Sequence, residues 1–462
     1  MTKVSQLLLS RMELRSEIGE VATVTHWSAE QIIALAPDGQ VAKAARSLAR
    51  PGKWQNLGCD EQVCWGEYQG SGKIPYRTAV ILEGPTFKCS CPSRKRPCKH
   101  SVGFLLLLQA EPHVLQKADP PEWVRKWLTG RAAQASKKAR KRTESVADPK
   151  AQARRAVRRE KRVRQGVDVF ASWLEDLLRR GLGSLQSEPS SFWETQAARL
   201  VDAQAPGLAR RVLGMASIPA SGDGWHERLL GRLARLHLLL EAFQRIDDLP
   251  LDLQEEVRIQ IGWTQDQDAL RQRHGERDHW LVLGRRATEE GRLRVQRTWL
   301  WGVERRQSAL ILDFAPPGQP LESGLIPGTD LDAELVFWPG SFPLRALVKT
   351  RHTTCPMETL PGYPDLVAAL AAYGAALTRN PWLDRLVMPV ENIVPIRQGD
   401  GWAVRDAQDH LLPLTVSSDE GWRLLALSGG HPVALVAEWD GETLAPLSLW
   451  VEGELVPIGG AQ

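Results

Sequence analysis

The stretch CSCPSRKRPCKH, residues 89–100, constrains this chain more than any other, because it places three cysteines and a histidine within twelve positions. A reactive thiol site, a disulfide knot and a metal site could each use such a cluster. Six cysteines in 462 residues are too few for a disulfide-stapled secreted scaffold. No apolar stretch approaches the ~20 residues of a membrane span, and no secretory signal is visible at the N-terminus. We therefore expect a cytoplasmic protein whose reducing compartment keeps these cysteines as thiols.

The spacing Cys-x-Cys-x6-Cys-x-His favours a tetrahedral metal site. Two close pairs, Cys89 with Cys91 and Cys98 with His100, can each supply two ligands when the short loop between them folds back. Three thiolates and one imidazole are a typical donor set for zinc. The set already fills four positions, which favours one structural Zn²⁺ per chain over a catalytic zinc that keeps a position open for water. The alternative is a group of ordinary thiols with an incidental histidine.

The loop between the two pairs carries cations and prolines. Three thiolates around a divalent ion leave a net charge of about −1, which Arg94, Lys95 and Arg96 would offset locally. Pro92 and Pro97 restrict the loop, so less entropy is lost when it closes. Both features favour the metal site over free thiols.

The sequence on either side of the cluster predicts a strand before it and a helix after it. YRTAVILEG is rich in β-forming residues and ends at a glycine, and HSVGFLLLLQA follows the last cysteine. A Cys-x-Cys pair on a β-hairpin and a Cys-x-His pair at the start of a helix resemble the SWIM zinc finger, and bacterial SWIM proteins in particular. The upstream segments LAPDGQVAKAARSLARPGKW and CWGEYQGSGKIPYRTAVILEGPTFK are also similar to those proteins. The resemblance covers approximately residues 30–130.

The resemblance implies a ββα module, stabilised by zinc, that binds DNA or proteins. By match to the family motif its ligands are Cys89, Cys91, Cys98 and His100. In bacteria such proteins are often encoded beside MoxR-type ATPases and von Willebrand A-domain proteins. The resemblance therefore also implies protein partners from those two classes.

The segment 125–164, here called the basic arm, holds sixteen Lys and Arg against three acids. Its local charge of +13 leaves the rest of the chain, whose total is +4, at −9. Such asymmetry predicts contact with nucleic acid, DNA first, or with an acidic protein; a solvated linker kept extended by its own charge is the alternative. Trp123 and Trp127 border the arm and could stack on bases or pack in a core. The predicted contact residues are Arg94, Lys95, Arg96, Lys137, Lys138, Arg140, Lys141, Arg142, Arg154, Arg155, Arg158, Arg159 and Arg162.

The hydrophobic pattern predicts an α+β multi-domain chain with a small ββα zinc finger module, a helical bundle and a β-rich C-terminal region. The N-terminal region, 1–124, carries the finger at about 60–110, and the basic segment at 125–166 forms a linker that becomes a helix. Apolar residues at spacings of three and four predict a helical domain over 167–277. Strand patterns separated by Gly and Pro predict a β-rich α+β domain over 278–462.

Three other motifs do not complete a site. GSGK at 70–73 lacks the preceding glycine and the following Ser or Thr of a phosphate loop, so a tight turn between strands is favoured. Cys59 and Cys64 could join a second metal site, but no further Cys or His accompanies them nearby. Cys355 and His352 are close in sequence, which does not establish the spatial pairing that a nucleophile and its base require. We therefore expect no catalytic residues and no enzymatic activity.

Together these features predict a zinc-binding interaction protein whose SWIM-like finger and basic arm contact nucleic acid or an acidic protein. One alternative is a protein-only adaptor of a MoxR-type ATPase and von Willebrand A-domain system, in which nucleic acid plays no part. Another is an enzyme with its site in 278–462, which no motif supports. No association with a membrane is expected.

Overall fold

The computed structural model is mixed α/β, with a helical bundle in the middle of the chain and a β-rich C-terminal region, as the hydrophobic pattern predicts. None of the described helices is both long and apolar enough to cross a bilayer. The structure describes residues 27–458 except 83–84, 144–148, 264, 291–292, 317–320 and 322–323. For residues 134–143, 149–153, 155 and 156, the structure describes the backbone but not the side chains.

The N-terminal module, residues 27–121, is built from a small sheet and short helices. Its elements are α1 (Ala29–Ile33), α2 (Gly39–Leu48), β1 (Trp54–Cys59), β2 (Val63–Tyr68), β3 (Tyr76–Ile81), β4 (Thr86–Cys89) and α3 (Lys99–Ala110). The four strands pair antiparallel in chain order, and α3 packs against both α2 and the sheet. The family resemblance implies a small ββα unit, whereas here the β3–β4 hairpin that precedes α3 is part of a larger sheet.

Helix α3 is buried on all sides, because its sequence is apolar throughout rather than amphipathic. Every residue from His100 to Leu108 is buried. Gly103 allows α3 to approach α2 closely, since a Cβ atom there would lie 2.8 Å from Leu48 and 3.0 Å from the carbonyl oxygen of Ala45. The first turn of α3 is therefore held in a fixed position relative to the sheet.

A set of helices follows, and its core is built around one long helix. The elements are α4 (Glu122–Thr143), α5 (Pro149–Arg180), α6 (Ser190–Asp202), α7 (Pro206–Met215), α8 (Trp225–Gln244), α9 (Leu251–Ile261) and α10 (Gln267–Arg271). Helix α5 runs through the predicted boundary at 166/167, so part of the basic arm and the first bundle helix are continuous. The physical reason is an apolar stripe that begins before that boundary, where Val163, Val167, Phe170 and Leu174 are all buried in the bundle core.

The C-terminal region contains a closed five-stranded barrel followed by a six-stranded sheet. The elements are β5 (Glu276–Glu290), β6 (Leu293–Gly302), β7 (Gln307–Ala315), β8 (Thr329–Phe337), β9 (Arg345–Pro356), α11 (Leu366–Arg379), β10 (Leu386–Gln398), β11 (Gly401–Arg405), β12 (Leu411–Leu414), α12 (Ser418–Ser428), β13 (Val433–Trp439), β14 (Leu444–Val451) and β15 (Glu454–Pro457). The barrel order is β5-β6-β7-β9-β8, and the sheet order is β12-β11-β10-β13-β14-β15. The sequence predicts these strands as a class but does not predict that the first five close on themselves.

The N-terminal module and the barrel are in direct contact. Gln31 Nε2 donates a hydrogen bond of 2.8 Å to the carbonyl oxygen of Pro327. The guanidinium of Arg285, on β5, donates to the carbonyl oxygen of Ala34. Ile326 packs into the apolar core of the N-terminal module. Residues nearly 300 positions apart in the chain thus share one interface.

Candidate metal centre

The four residues of the Cys/His cluster converge where β4 leads into α3. Cys89 is the last residue of β4 and lies opposite Thr78 of β3. Cys98 is the N-cap residue of α3, His100 lies in the first turn of that helix, and Cys91 lies in the loop between strand and helix. All four cluster side chains are buried. Strand register and helix start therefore bring the two predicted ligand pairs together.

The ligand atoms of the cluster all lie within 4.8 Å of one another. The distance from Cys89 Sγ to His100 Nδ1 is 4.0 Å. A tetrahedral site with Zn–S bonds of ~2.3 Å and Zn–N bonds of ~2.1 Å places its ligand atoms about 3.6–3.8 Å apart. The donor types and spacing therefore fit a metal ion such as zinc. Within the described residues, no other group of three or more Cys, His, Asp or Glu side chains is assembled in this way.

The thiols of the cluster compete for protons. Hydrogen bonds from the Cys89 and Cys91 thiols hold the pKa of Cys98 far below its usual range. Hydrogen bonds with Cys91 and Cys98 raise the pKa of Cys89. The pKa of His100 is raised, because burial acts to lower it but hydrogen bonds with Cys91 and Cys98 outweigh the burial. A divalent cation would let all three sulfurs ionise in this buried space, which is the electrostatic role that the donor set is suited to.

Two hydroxyl groups hold the cysteine ligands in place. Thr78 Oγ1 donates a hydrogen bond of 3.4 Å to Cys89 Sγ. Ser101 Oγ lies 3.4 Å from Cys98 Sγ. The sequence patterns do not identify Thr78 or Ser101 as neighbours of the cluster. For Thr78, the register of the β3–β4 hairpin would have indicated the contact, because it places Thr78 opposite Cys89. Such outer contacts orient metal ligands and tune their basicity.

The imidazole of His100 is enclosed by two tyrosine rings. The ring centroids of Tyr76 and Tyr68 lie 4.8 Å and 5.1 Å from that of His100. Tyr76 also packs against the three cysteines of the cluster. These rings limit the access of water and fix the orientation of the imidazole, as the apolar shell of a structural metal site does.

The three cations predicted in the cluster loop have different surroundings. Lys95 forms a salt bridge of 2.6 Å with Asp38, the N-cap residue of α2. Arg96 donates a hydrogen bond of 3.2 Å to the carbonyl oxygen of Cys89, so its charge lies beside the cluster. Arg94 is exposed. Of the three, Arg96 is therefore best placed to offset the thiolate charge, and Arg94 is the most accessible to a partner.

The basic arm separates into one face that packs and one that is exposed. Arg159 donates a hydrogen bond of 3.0 Å to the carbonyl oxygen of Gly262, and its guanidinium lies over the ring of Trp263, 5.0 Å from the centroid. Exposed on α5 at spacings of four are Arg154, Arg158 and Arg162. Outside the described side chains lie Lys137, Lys138, Arg140, Lys141, Arg142 and Arg155.

The other cysteines do not assemble a second centre among the described residues. Cys59 and Cys64 face each other across the β1–β2 hairpin and are buried in the module core, and among the described residues they do not belong to a group of three converging metal-binding side chains. Cys355 lies at the surface. Its pKa is raised by partial loss of solvation and by the charges of Asp330 and Glu358. A raised pKa is the opposite of the shift that activates a thiol nucleophile.

Two further sequence alternatives are decided by the fold. Residues 70–73 lie between β2 and β3, as expected, but the connection from Tyr68 to Tyr76 is longer than a tight turn. Trp123 and Trp127 are partly buried and pack against a small apolar cluster formed by Val63 and Trp65 with neighbouring residues. Their rings therefore contribute to the core of the module.

A buried Cys3His cluster, a helical bundle and a β-rich C-terminal region define a mixed α/β protein with a candidate metal centre. Residues 158–261 match the family model of SWIM_C, the SWIM-associated four-helix bundle domain. The matched segment begins within α5, ends with the last residue of α9 and does not include the cluster. This match supports a SWIM-family protein on grounds separate from the motif at 89–100. No curated protein and no solved structure matches the chain.

Proposed function

We propose that this chain is a zinc-binding interaction protein of SWIM type, in which one structural Zn²⁺ joins the β3–β4 hairpin to α3. The observation that carries the proposal is the convergence of Cys89, Cys91, Cys98 and His100 within 4.8 Å in a buried site. The ion supplies a fixed tetrahedral link and leaves no position open for water. Thr78 orients one ligand, and α3, which is packed against α2 and the sheet, orients two.

Metal analysis of the purified full-length chain tests this step. Protein prepared without chelator is expected to contain one equivalent of zinc. Less than half an equivalent would contradict the proposal. Reconstitution with Zn²⁺ and, in parallel, with Mg²⁺ separates a thiolate site from nonspecific binding. Thiolate ligands bind the softer Zn²⁺ in preference to the harder Mg²⁺.

We further propose that the finger and the basic arm contact nucleic acid, with duplex DNA favoured. The support is the exposed stripe of Arg154, Arg158 and Arg162, in which each step of four residues advances the backbone about 6 Å along the axis of α5. None of the three forms a salt bridge with a described carboxylate; by contrast, Arg164 pairs with Glu160 at 3.1 Å. Unpaired cations in a row are suited to a repeating anion such as a phosphate backbone.

A matched pair of variants tests this contact. The first replaces Arg154, Arg158 and Arg162 with Gln, and Arg159 is left unchanged because it packs on the bundle. The control replaces three other exposed bundle arginines with Gln: Arg199, Arg210 and Arg245. The first variant should reduce the slope of log affinity against log salt by up to about 2.7, since each neutralised phosphate contributes about 0.9. The control should keep the parent slope; equal behaviour of the two variants would contradict the proposal.

The competing function is a protein-only adaptor of a MoxR-type ATPase and von Willebrand A-domain system, which the SWIM resemblance implies. A pull-down from native cells, with and without nuclease, separates the two. Partners that persist after nuclease treatment, in a chain that binds no duplex, would favour the adaptor.

We also propose that the chain is not an enzyme. Turnover of ATP or nucleic acid that survives purification and disappears with a point mutation in 278–462 would contradict this.

A further inference from the structure

A cleft of about 350 Å³ lies where the N-terminal module meets the barrel and α12. One wall is the end of the cluster loop, at Arg96 and Pro97, together with the turn at 34–37. The opposite wall is formed by β5 and β6 of the barrel, and the residues that lead into α12 close one side. The cleft is the size of sites that hold small molecules. It is separate from the metal cluster and from the exposed arginine stripe of α5.

Four arginines from three parts of the chain line this cleft: Arg96 from the cluster loop, Arg285 and Arg286 from β5, and Arg294 from β6. Three of them are positioned by main-chain carbonyl oxygens. Arg96 donates to Cys89, Arg285 to Ala34, and Arg286 to Pro446 at 2.8 Å. Carbonyl groups fix the direction of a guanidinium without neutralising its charge.

Carboxylates also lie in or near the cleft, and one of them, Glu289, is opposite Arg294 in the β5–β6 ladder. Glu420 is the acidic residue among those that line the cleft, and its carboxylate accepts hydrogen bonds from the amide and hydroxyl of Ser417, at 2.8 and 3.0 Å. Glu290, near the far end of β5, pairs with Arg297 at 3.6 Å. Among the described residues, none of the four lining arginines forms a salt bridge with a carboxylate. The described residues that line the cleft therefore carry a formal excess of about three positive charges, which Glu289 beside them reduces to about two.

One further feature makes the cleft favourable for an anion. Burial lowers the pKa of Arg285 to about 10, which indicates that this guanidinium has lost much of its solvation. Like charges held together without solvent are costly, and an anion between them recovers that cost.

We propose that this cleft binds the phosphate group of a small phosphate ester through guanidinium groups of the arginines that line it. Guanidinium forks match phosphate geometry and form strong charge-assisted hydrogen bonds with it. The phosphate belongs either to a free nucleotide or to the 5′ end of a nucleic-acid strand. The site would couple ligand binding to the packing of the N-terminal module on the barrel, because Arg96 and Arg285 come from opposite sides of that interface.

Calorimetric titration of the zinc-loaded full-length chain with inorganic pyrophosphate tests the proposal. The parent should bind saturably at one site per chain. The double variant Arg286→Gln with Arg294→Gln should lose affinity by about tenfold or more. Arg294 has no hydrogen-bonded partner among the described residues, so the single variant Arg294→Gln is expected to fold normally and to lose part of the affinity. A matched control replaces two exposed arginines that do not line the cleft, Arg273 and Arg306, with Gln.

Three further titrations with the parent identify the source of the phosphate: a mononucleotide, a 5′-phosphorylated hexanucleotide, and the same hexanucleotide ending in a hydroxyl group. Preference for the mononucleotide assigns a free nucleotide, and preference for the phosphorylated over the hydroxyl end assigns a strand terminus. Absence of saturable pyrophosphate binding by the parent, or equal losses in the cleft and control variants, would overturn the proposal. Zinc content and duplex binding by the basic arm are measured on the same proteins, so a failure here is distinguishable from a failure of the proposed function.

Discussion

The N-terminal module and the helical bundle differ in the kinds of side chain that form their buried clusters. In the bundle, the core is a continuous set of large apolar side chains, and every helix from α5 to α9 contributes to it. Trp193, Leu229 and Phe243 are examples. In the module, an apolar core around α3 is accompanied by a separate small cluster in which three cysteines pack with Tyr76. We infer that metal binding adds to these contacts in holding the cluster loop.

The largest expected effect is the loss of the metal. Cys98→Ser removes the ligand that is also the N-cap of α3, and zinc should fall below half an equivalent. Because structural zinc stabilises small modules by about 10 kcal/mol or more, the cluster loop and the first turn of α3 should lose protection from hydrogen exchange. The bundle should keep its protection. Cys355→Ser, which changes an exposed cysteine, is the control and should keep its zinc.

The second expected effect is a loss of stability in the bundle without a loss of zinc from the N-terminal module. Trp193 is 1% exposed in the bundle core, so Trp193→Ala should destabilise the bundle by about 3–5 kcal/mol through lost burial and the cavity left behind. Urea unfolding followed by hydrogen exchange would measure this loss, and the zinc content should stay at one equivalent. Trp422→Ala, at a ring that is 53% exposed, should cost much less. Release of zinc in the same transition as the bundle would mean that the two regions unfold as one unit.

A third prediction concerns the hydrogen bond from Thr78 to Cys89. Thr78→Val keeps the shape of the side chain but removes the donor, and the affinity for zinc should fall about 10–100-fold, as for other outer contacts of metal ligands. Competition with a chromogenic chelator measures this affinity. Thr298→Val is the matched control, since Thr298 is also fully buried in a strand but its hydroxyl has no hydrogen-bond partner. That variant should retain the parent affinity for zinc.

The smallest expected effect tests the outer support of the cluster loop. Burial acts to raise the pKa of Asp38, but hydrogen bonds from Lys95 and the Val41 amide hold it below its usual value. A carboxyl whose pKa is lower in the folded state stabilises that state above its unfolded pKa of ~3.9, and the contribution is lost as the pH falls through the folded pKa. Asp38→Ala should therefore cost about 1 kcal/mol at pH 7 and progressively less towards pH 3.

Hydrogen exchange of the Val41 amide is the measurement for Asp38, because that amide donates to the carboxylate at 2.8 Å. Lys95→Gln is the control, since it removes the salt bridge and keeps the N-cap. It should reproduce only part of the loss. A cost for Asp38→Ala that does not change between pH 7 and pH 3 would show that the carboxylate charge plays no part.

Local patterns predicted the features that depend on neighbours in sequence. The close pairs Cys89–Cys91 and Cys98–His100 are each set by two-residue spacing, so their convergence needed only a hairpin and a helix start. The bundle followed from apolar residues at spacings of three and four, and the β-rich C-terminal region from strand patterns. The identity of the metal and of the partner stay predictions.

Features that depend on distant parts of the chain were decided only by the tertiary structure. Closure of the barrel brings β5 against β8, and the contact of Arg159 with Gly262 joins residues 103 positions apart. The cleft arginines come together because the cluster loop docks on the barrel, so no spacing in the sequence relates Arg96 to Arg294. Sequence periodicity records which face of each element is buried, because that depends on its local geometry. Which element covers that face depends on contacts between segments that are far apart in the chain, and no local pattern encodes them.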